Sequence, residues 1–362
     1  MNSILEVGYE LLDRGLVPDF ILRIAIRHLL RQRLREINAG SVEANHAAKM
    51  KWIEDVRTRQ TIADVPEKAN EQHYEVKTEF ILSTLGPYGK YSSCLYPTGR
   101  ETLAEAEKLM LENYCAKAQL RDGLDILDLG CGWGSLSLFL AEKYPNSRIT
   151  GLSNSSTQKR HIAATAKHRG LTNIKIITAD VNTHEFGGST RFDRILTIEM
   201  FEHMKNYQAL FKKVSSWLRP KSDKPGQADE SLLFIHVFCH RTTPYHFLED
   251  DGWMAKNFFS GGTMPSHDLF LYFQSDLTLL RSWYLPGTHY SRTLEEWLRL
   301  QDKNGKRGLK ELEEDAIEKG QPAIEGTKAY HRFRVFYMAC SELFKMDEGE
   351  QWGIGHYLFK AK

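Results

Sequence analysis

The chain has 362 residues, 41% hydrophobic and 26% charged, the balance of a folded globular protein with one large or two modest cores. Lys plus Arg number 48 against 47 Asp plus Glu, so the formal charge is +1 and no basic field exists to hold a nucleic-acid backbone. Long apolar runs, a signal-peptide cleavage pattern and Cys-x-x-Cys pairs are all missing, which predicts no membrane span, reduced thiols, a cytoplasmic location and no metal site.

Residues 1–75 read as a helical segment. Leu5, Leu11 and Leu12 recur at helical spacing before Gly15, and Pro18-Asp19 marks a second helix start. The run from Phe20 to Ile37 mixes Ile and Leu with Arg. Such a helix can lie on a membrane surface, but the expectation is that its apolar face packs on the main domain. Residues 76–240 form the core. Asp125–Leu129, Arg148–Leu152, Ile174–Ala179, Arg194–Ile198 and Leu232–Phe238 are strand candidates, with amphipathic stretches at Ser135–Lys143 and Thr157–Arg169. This alternation predicts a doubly wound α/β fold with a parallel sheet. The polar stretch Lys221–Ser231, with Pro225-Gly226, predicts a surface loop. Residues 241–328 are dense in aromatics, among them Trp253, Phe258, Phe259, Phe273, Trp283 and Tyr290, and are expected to cover the ligand crevice as a lid. Residues 329–362 complete the core with a helix at Tyr330–Phe344 and a strand around Gly353–Phe359.

The chemistry begins at Leu127-Asp128-Leu129-Gly130-Cys131-Gly132-Trp133-Gly134, where a strand runs into a glycine turn and a helix. The third glycine falls one residue early for a dinucleotide fingerprint. An Asp at the strand end suits a ligand ammonium better than a pyrophosphate, and S-adenosylmethionine joins an amino-acid end to a nucleoside. At the next strand end Asn154 and Gln158 can bond ribose hydroxyls, and at the third Asp180 can accept from an adenine amino group while Val181 packs on the ring. The fourth strand ends in Ile198-Glu199-Met200-Phe201-Glu202-His203. Helical i, i+3, i+4 spacing predicts that Glu199, Glu202 and His203 converge at the catalytic end of the sheet. A zinc motif of the His-x-x-Glu-His type would need His where Glu199 stands, so no metal is expected.

Together, Asp128 to Gly134, Gly151 to Ser155 and Phe201-Glu202-His203 resemble the cyclopropane-fatty-acid synthase family of class I methyltransferases. The run from Ile195 to Tyr207 is similar to its plant-alkaloid branch of coclaurine, pavine and tetrahydroprotoberberine N-methyltransferases, as are Leu271 to Gln274, Ser291 to Thr293 and Arg14 to Pro18. The resemblance covers almost the whole chain. It implies that Tyr91, Ser92, Gly130 and Gly132 meet the methionine end of S-adenosylmethionine, that Asn154 and Gln158 hold the ribose and Asp180 and Val181 the adenine, and that Ile198 lines the sulfonium pocket. Glu199, Glu202 and His203 would face a hydrophobic, tetrahydroisoquinoline-like amine, with Cys340 matching the family's C-terminal cysteine. A homodimer is the expected assembly.

The resemblance also carries an alternative. The lipid branch surrounds a bicarbonate ion with a Cys, a Glu, a His and a Tyr, and Cys94, Glu202, His236 and Tyr290 fall at matching positions. They would suit methylation or cyclopropanation of an unsaturated phospholipid acyl chain. An amine reaction has no evident use for Tyr290 on sequence grounds.

Overall fold

A computed structural model describes residues 2–63, 77–188, 190–220, 230–247, 253, 258 and 262–362. Three helices come first, α1 (Asn2–Asp13), α2 (Asp19–Glu36) and α3 (Val42–Thr58), followed by α4 (Thr78–Thr84) and α5 (Leu103–Lys117). The core continues with β1 (Asp125–Leu129), α6 (Ser135–Lys143), β2 (Arg148–Ser153), α7 (Ser156–His168), β3 (Ile174–Thr178), β4 (Arg194–Ile198), α8 (Tyr207–Trp217) and β5 (Leu232–His240). A short pair, β6 (Tyr245–His246) and β7 (Thr263–Met264), leads to β8 (Leu277–Pro286), α9 (Thr288–Lys303), α10 (Gly305–Glu318), α11 (Ala323–Lys345) and β9 (Trp352–Ala361). Most of the expected loop Lys221–Ser231, and Phe259, lie outside the described residues.

The main sheet has seven strands in the order β3-β2-β1-β4-β5-β9-β8. The first five are parallel, while β9 pairs antiparallel with β5 and with β8. Helices cover both faces, so the strands read as near-continuous apolar runs rather than alternating ones. Alternation survives in the destination of each side chain. Ile126, Leu196, Phe234, Ile354 and Leu358 enter the core on one face, and Leu127, Ile195, Leu233, Ile235, Tyr357 and Phe359 the core on the other.

Two expectations need correction. Strand β8, inside the stretch expected to form a covering insertion, is the edge strand of the main sheet. Of the lid aromatics, Trp253, Phe258 and Phe273 are core side chains: Phe258 stacks on Phe336 at 4.5 Å, Phe273 packs on Tyr207, and the Trp253 indole N–H donates to Asp13 at 2.9 Å. Dense aromatics alone do not distinguish a lid from a packed subdomain. Helix α2 uses both of its faces. Leu22, Ile26, Leu30 and Leu34 pack on the core, and Arg23 and Arg27 pair with Glu295 and Glu342, while Phe20, Ile21 and Ile24 stay exposed.

Gly287 joins β8 to α9 and so places Tyr290 on the site described below. A Cβ there would lie 2.1 Å from the Trp352 carbonyl oxygen and 2.3 Å from that of Phe344, both backbone atoms that cannot swing away. Gly287→Ala is therefore expected to cost about 2–3 kcal/mol of stability, read as a lowered denaturation midpoint. An unchanged midpoint would show that this junction is not fixed by backbone contact.

Candidate active site

One cavity opens at the carboxyl ends of β1, β2, β3 and β4, where a doubly wound sheet places its ligands. Its wall includes Tyr91, Ser92, Gly130, Gly132, Asn154, Gln158, Asp180, Val181 and Ile198, so the residues expected to meet the cofactor surround one space. Gly130 has φ +85°, and a Cβ there would also strike Met200 at 2.8 Å, so glycine is required by the backbone as well as by any ligand. The buried Gln158 Nε2, Trp133 Nε1 and Ser135 Oγ, all on residues of this wall, have no hydrogen-bond partner among the described residues. A ligand rich in hydroxyl and carboxylate oxygens fits such donors. Asp180 accepts from the Asn182 N–H at 2.8 Å, which orients its carboxylate.

Asp128 is the acid that β1 brings to this wall. It is buried, takes a hydrogen bond from the Ser137 hydroxyl at 2.6 Å, and burial pushes its carboxyl up to about 6. A group that must ionise to receive a cation makes binding pH-dependent.

The floor of the cavity departs from the helical picture. Only a short 3-10 turn, Phe201–His203, follows β4, and Glu199 itself has φ +49°, an unusual backbone for a residue with a side chain. Its backbone N–H donates to the His236 carbonyl at 2.9 Å. Its carboxylate is held by three donors: the Ser93 N–H to Oε1 at 2.9 Å, the Tyr290 hydroxyl to Oε2 at 2.6 Å, and His236 Nε2 at 3.0 Å from Oε1. Glu199 and His203 line the cavity, whereas Glu202 does not. Glu202 turns back into the protein, where its Oε1 accepts the Phe238 N–H at 2.7 Å.

The two acids are driven apart by their surroundings. Burial raises both, but the Lys90 ammonium, the Ser93 N–H and Tyr290 oppose the rise at Glu199, while the charge of Glu199 adds to it at Glu202. Glu199 is thus the ionised member and Glu202 the neutral one. Burial lowers His203 below the usual imidazole range, leaving a neutral ring able to accept a proton.

The expected bicarbonate set does not close around a free ion. His236 and Tyr290 hold the carboxylate of Glu199, Glu202 caps a backbone N–H, and the Cys94 thiol, pushed up to about 12 by burial, faces the Ser92 carbonyl. Cys340 is buried in α11 and is not part of the cavity wall; burial and the Glu199 charge keep it a neutral thiol. Ser93, Lys90 and His356 were not singled out by the sequence. The usable signal for His356 is a lone His amid the apolar run from Trp352 to Phe359, and for Lys90 a cation just before the Tyr91-Ser92 pair.

With Asp128 raised to about 6, S-adenosylmethionine affinity is expected to fall about tenfold per pH unit below that value and to level off above pH 7. Asp128→Asn removes the pH dependence and weakens binding by about 1.5–3 kcal/mol. Calorimetry from pH 5 to 8 measures both, and a flat wild-type profile would separate Asp128 from the ligand.

Comparison with known proteins agrees with this geometry. The family model for mycolic acid cyclopropane synthetase matches residues 62–352. An (S)-coclaurine N-methyltransferase from Thalictrum flavum subsp. glaucum is 38% identical over 355 residues, covering 97% of this chain and 94% of the relative. The crystal structure of a coclaurine N-methyltransferase bound to N-methylheliamine and SAH superposes with a TM-score of 0.90 at 36% identity, covering 99% of each chain. The cyclopropane synthase MmaA2 from Mycobacterium tuberculosis, 21% identical with a TM-score of 0.65 over 83% of this chain and 99% of its own, shares the fold. The chain therefore belongs to the mycolic acid cyclopropane synthetase family and is one of its S-adenosylmethionine-dependent methyltransferases.

Proposed function

We propose that this enzyme N-methylates a hydrophobic secondary or tertiary amine of tetrahydroisoquinoline or benzylisoquinoline shape. The observation that carries the reading is Glu199, whose carboxylate on the cavity wall is fixed by three donors, with His203 lining the same wall. A buried anion in that place attracts a cationic amine and has no counterpart in the needs of an uncharged alkene. The compounds named for two of the relatives, coclaurine in the enzyme's name and N-methylheliamine as the bound molecule, are of this chemical class.

When bound, S-adenosylmethionine supplies an electrophilic methyl group on a sulfonium. In this reading Tyr91, Ser92, Gly130 and Gly132 hold its methionine end, Asn154 and Gln158 its ribose, Asp180 and Val181 its adenine, and Ile198 borders the sulfonium. The protein's remaining tasks are alignment and proton management. A protonated amine has no lone pair, so Glu199 draws it in as a cation and His203 accepts the proton it sheds. Glu202, neutral and turned from the cavity, supports the floor through Phe238 rather than binding the amine. Tyr290 holds Glu199 in place and so does have a part in an amine reaction.

No helix among the described residues is long and apolar enough to cross a membrane. Five reduced, buried cysteines support a cytoplasmic location. The assembly proposed with this reading is a homodimer, to which the exposed Phe20, Ile21 and Ile24 would contribute apolar surface; sedimentation velocity reads it directly.

A mass-spectrometric assay with labelled cofactor, offering benzylisoquinoline amines and unsaturated phospholipids side by side, tests the acceptor. Methylated amine with no response to added bicarbonate is the expected result. Labelled lipid, stimulated by bicarbonate, would overturn the proposal.

His203→Ala is expected to lower kcat by about a hundredfold to ten-thousandfold, the range for a lost general base, with a far smaller change in cofactor Kd. Activity of the unaltered enzyme should rise with pH as the bound amine gives up its proton more readily. A His203→Ala enzyme of normal turnover would remove this residue from the proton path.

A further inference from the structure

Glu199 is the inner end of a chain of bonded groups that crosses the sheet at right angles to its strands. His236 Nε2 lies 3.0 Å from Glu199 Oε1. On the far side of the same ring, His236 Nδ1 lies 2.8 Å from His356 Nε2, and His356 Nδ1 lies 2.7 Å from the Lys117 ammonium. Strand register builds the line: Ile198 pairs with His236 across β4 and β5, His236 with His356 across β5 and β9, and His356 with Trp283 across β9 and β8. Both histidines are fully buried, whereas Lys117, at the end of α5 with its ammonium 4.9 Å from the centre of the Trp283 ring, is only partly so. Two buried imidazoles facing each other through nitrogen atoms are costly in a core unless their protons are ordered.

We propose that Lys117 is a positioning residue for methyl transfer, setting the tautomers of His356 and His236 and thereby holding Glu199 as a carboxylate. An ammonium can only donate, so His356 Nδ1 must accept and its proton sits on Nε2. That N–H donates to His236 Nδ1, which places the second proton on His236 Nε2, aimed at Glu199 Oε1. Every bond in the chain then points inward to the anion. The alternative arrangement is one concerted shift away: Lys117 gives a proton to His356 Nδ1, His356 Nε2 gives its proton to His236 Nδ1 and His236 Nε2 gives its proton to Glu199 Oε1, leaving a neutral amine and a protonated carboxyl, with three bonds to hydrogen broken and three formed. Glu199 and Lys117 are thus the two ends of one shared proton.

Other groups act on the same line. The Tyr114 hydroxyl lies 3.0 Å from His236 Nδ1 and competes with the His356 N–H for its one lone pair. Lys90 lies near His236, His356 and Glu199, and Arg281 near Lys117. His203 faces Glu199 from the cavity side, Tyr290 donates to its Oε2, and the buried Glu202, Cys94 and Cys340 are close enough to feel its charge. Burial and Arg281 lower Lys117 to about 8, which leaves it protonated at neutral pH.

The functional half of the inference rests on the amine reading; the structural half does not. Nitrogen-15 NMR of histidine-labelled protein with S-adenosylhomocysteine added reads the tautomers directly. Both His236 and His356 are expected as Nε2–H in the wild type. Lys117→Met, studied alone and with Tyr114→Phe, should shift His356 toward Nδ1–H, and Lys117→Arg, which keeps a donor cation, should restore Nε2–H. In amine turnover, Lys117→Met should move the acidic limb of the kcat/KM profile up by about one pH unit, a loss of roughly tenfold on that limb, with cofactor Kd unchanged and Lys117→Arg recovering the wild-type profile. Histidine resonances indifferent to Lys117→Met would overturn the proposal whatever the acceptor. Altered tautomers with an unmoved pH profile would overturn the link to catalysis. A wild-type enzyme that methylates no amine would sink the acceptor reading, and the NMR result alone would then decide whether the relay exists.

Discussion

The site depends on how one carboxylate is held. Glu199 leaves β4 in a left-handed backbone conformation that costs energy for any residue with a side chain, and a structure keeps such strain only where surrounding bonds enforce it. Here a backbone bond to the His236 carbonyl and three donors on the carboxylate do so. Those donors come from the segment before α5, from β5 and from α9, which are far apart in the chain. Fixing Glu199 therefore ties three regions of the protein together at the cavity wall. It also gives residues that match a lipid enzyme's anion site another task, because the anion they hold is part of the chain.

Charge placement around this carboxylate follows from burial. Two acids a few residues apart cannot both ionise in a space closed to water, so the environment has to choose between them. Lys90 is itself deeply buried, donates to the Ser93 carbonyl at 2.7 Å, and tips the choice toward Glu199. Glu202 is left neutral and becomes a structural acceptor. Of the two neighbouring acids after β4, the division leaves only Glu199 charged at the cavity wall, instead of the doubly charged pair that spacing alone suggests.

The sheet supplies the rest of the geometry. Parallel strand ends deliver Asp128, Asn154, Asp180 and Glu199 to the rim of one cavity, each from a different strand or the loop just after it. The antiparallel addition of β9 and β8 carries a polar line away from that cavity. A parallel βαβ unit cannot set two residues opposite each other as a reciprocal pair, and the antiparallel β5–β9 ladder does so for His236 and His356.

Much of this was legible in the residues. The strands at Asp125–Leu129 and Arg194–Ile198 and the helix at Ser135–Lys143 have the bounds that the apolar pattern indicated, because local periodicity and glycine turns act over a few residues. The polar strand ends from Asp128 to Asp180 marked one ligand cavity for the same reason: a doubly wound sheet must bring consecutive strand ends together. Tertiary structure alone decided three matters. Trp253, Phe258, Phe270 and Phe273 turned out to be core, since composition says nothing about which neighbour a ring will meet. Strand β8 joined the main sheet because β9, arriving some seventy residues later, offered it an edge. The roles of Glu199, Glu202, His236 and His356 depended on partners that are between 36 and 239 positions distant, and hydrogen bonds and burial across such separations leave no period in the chain.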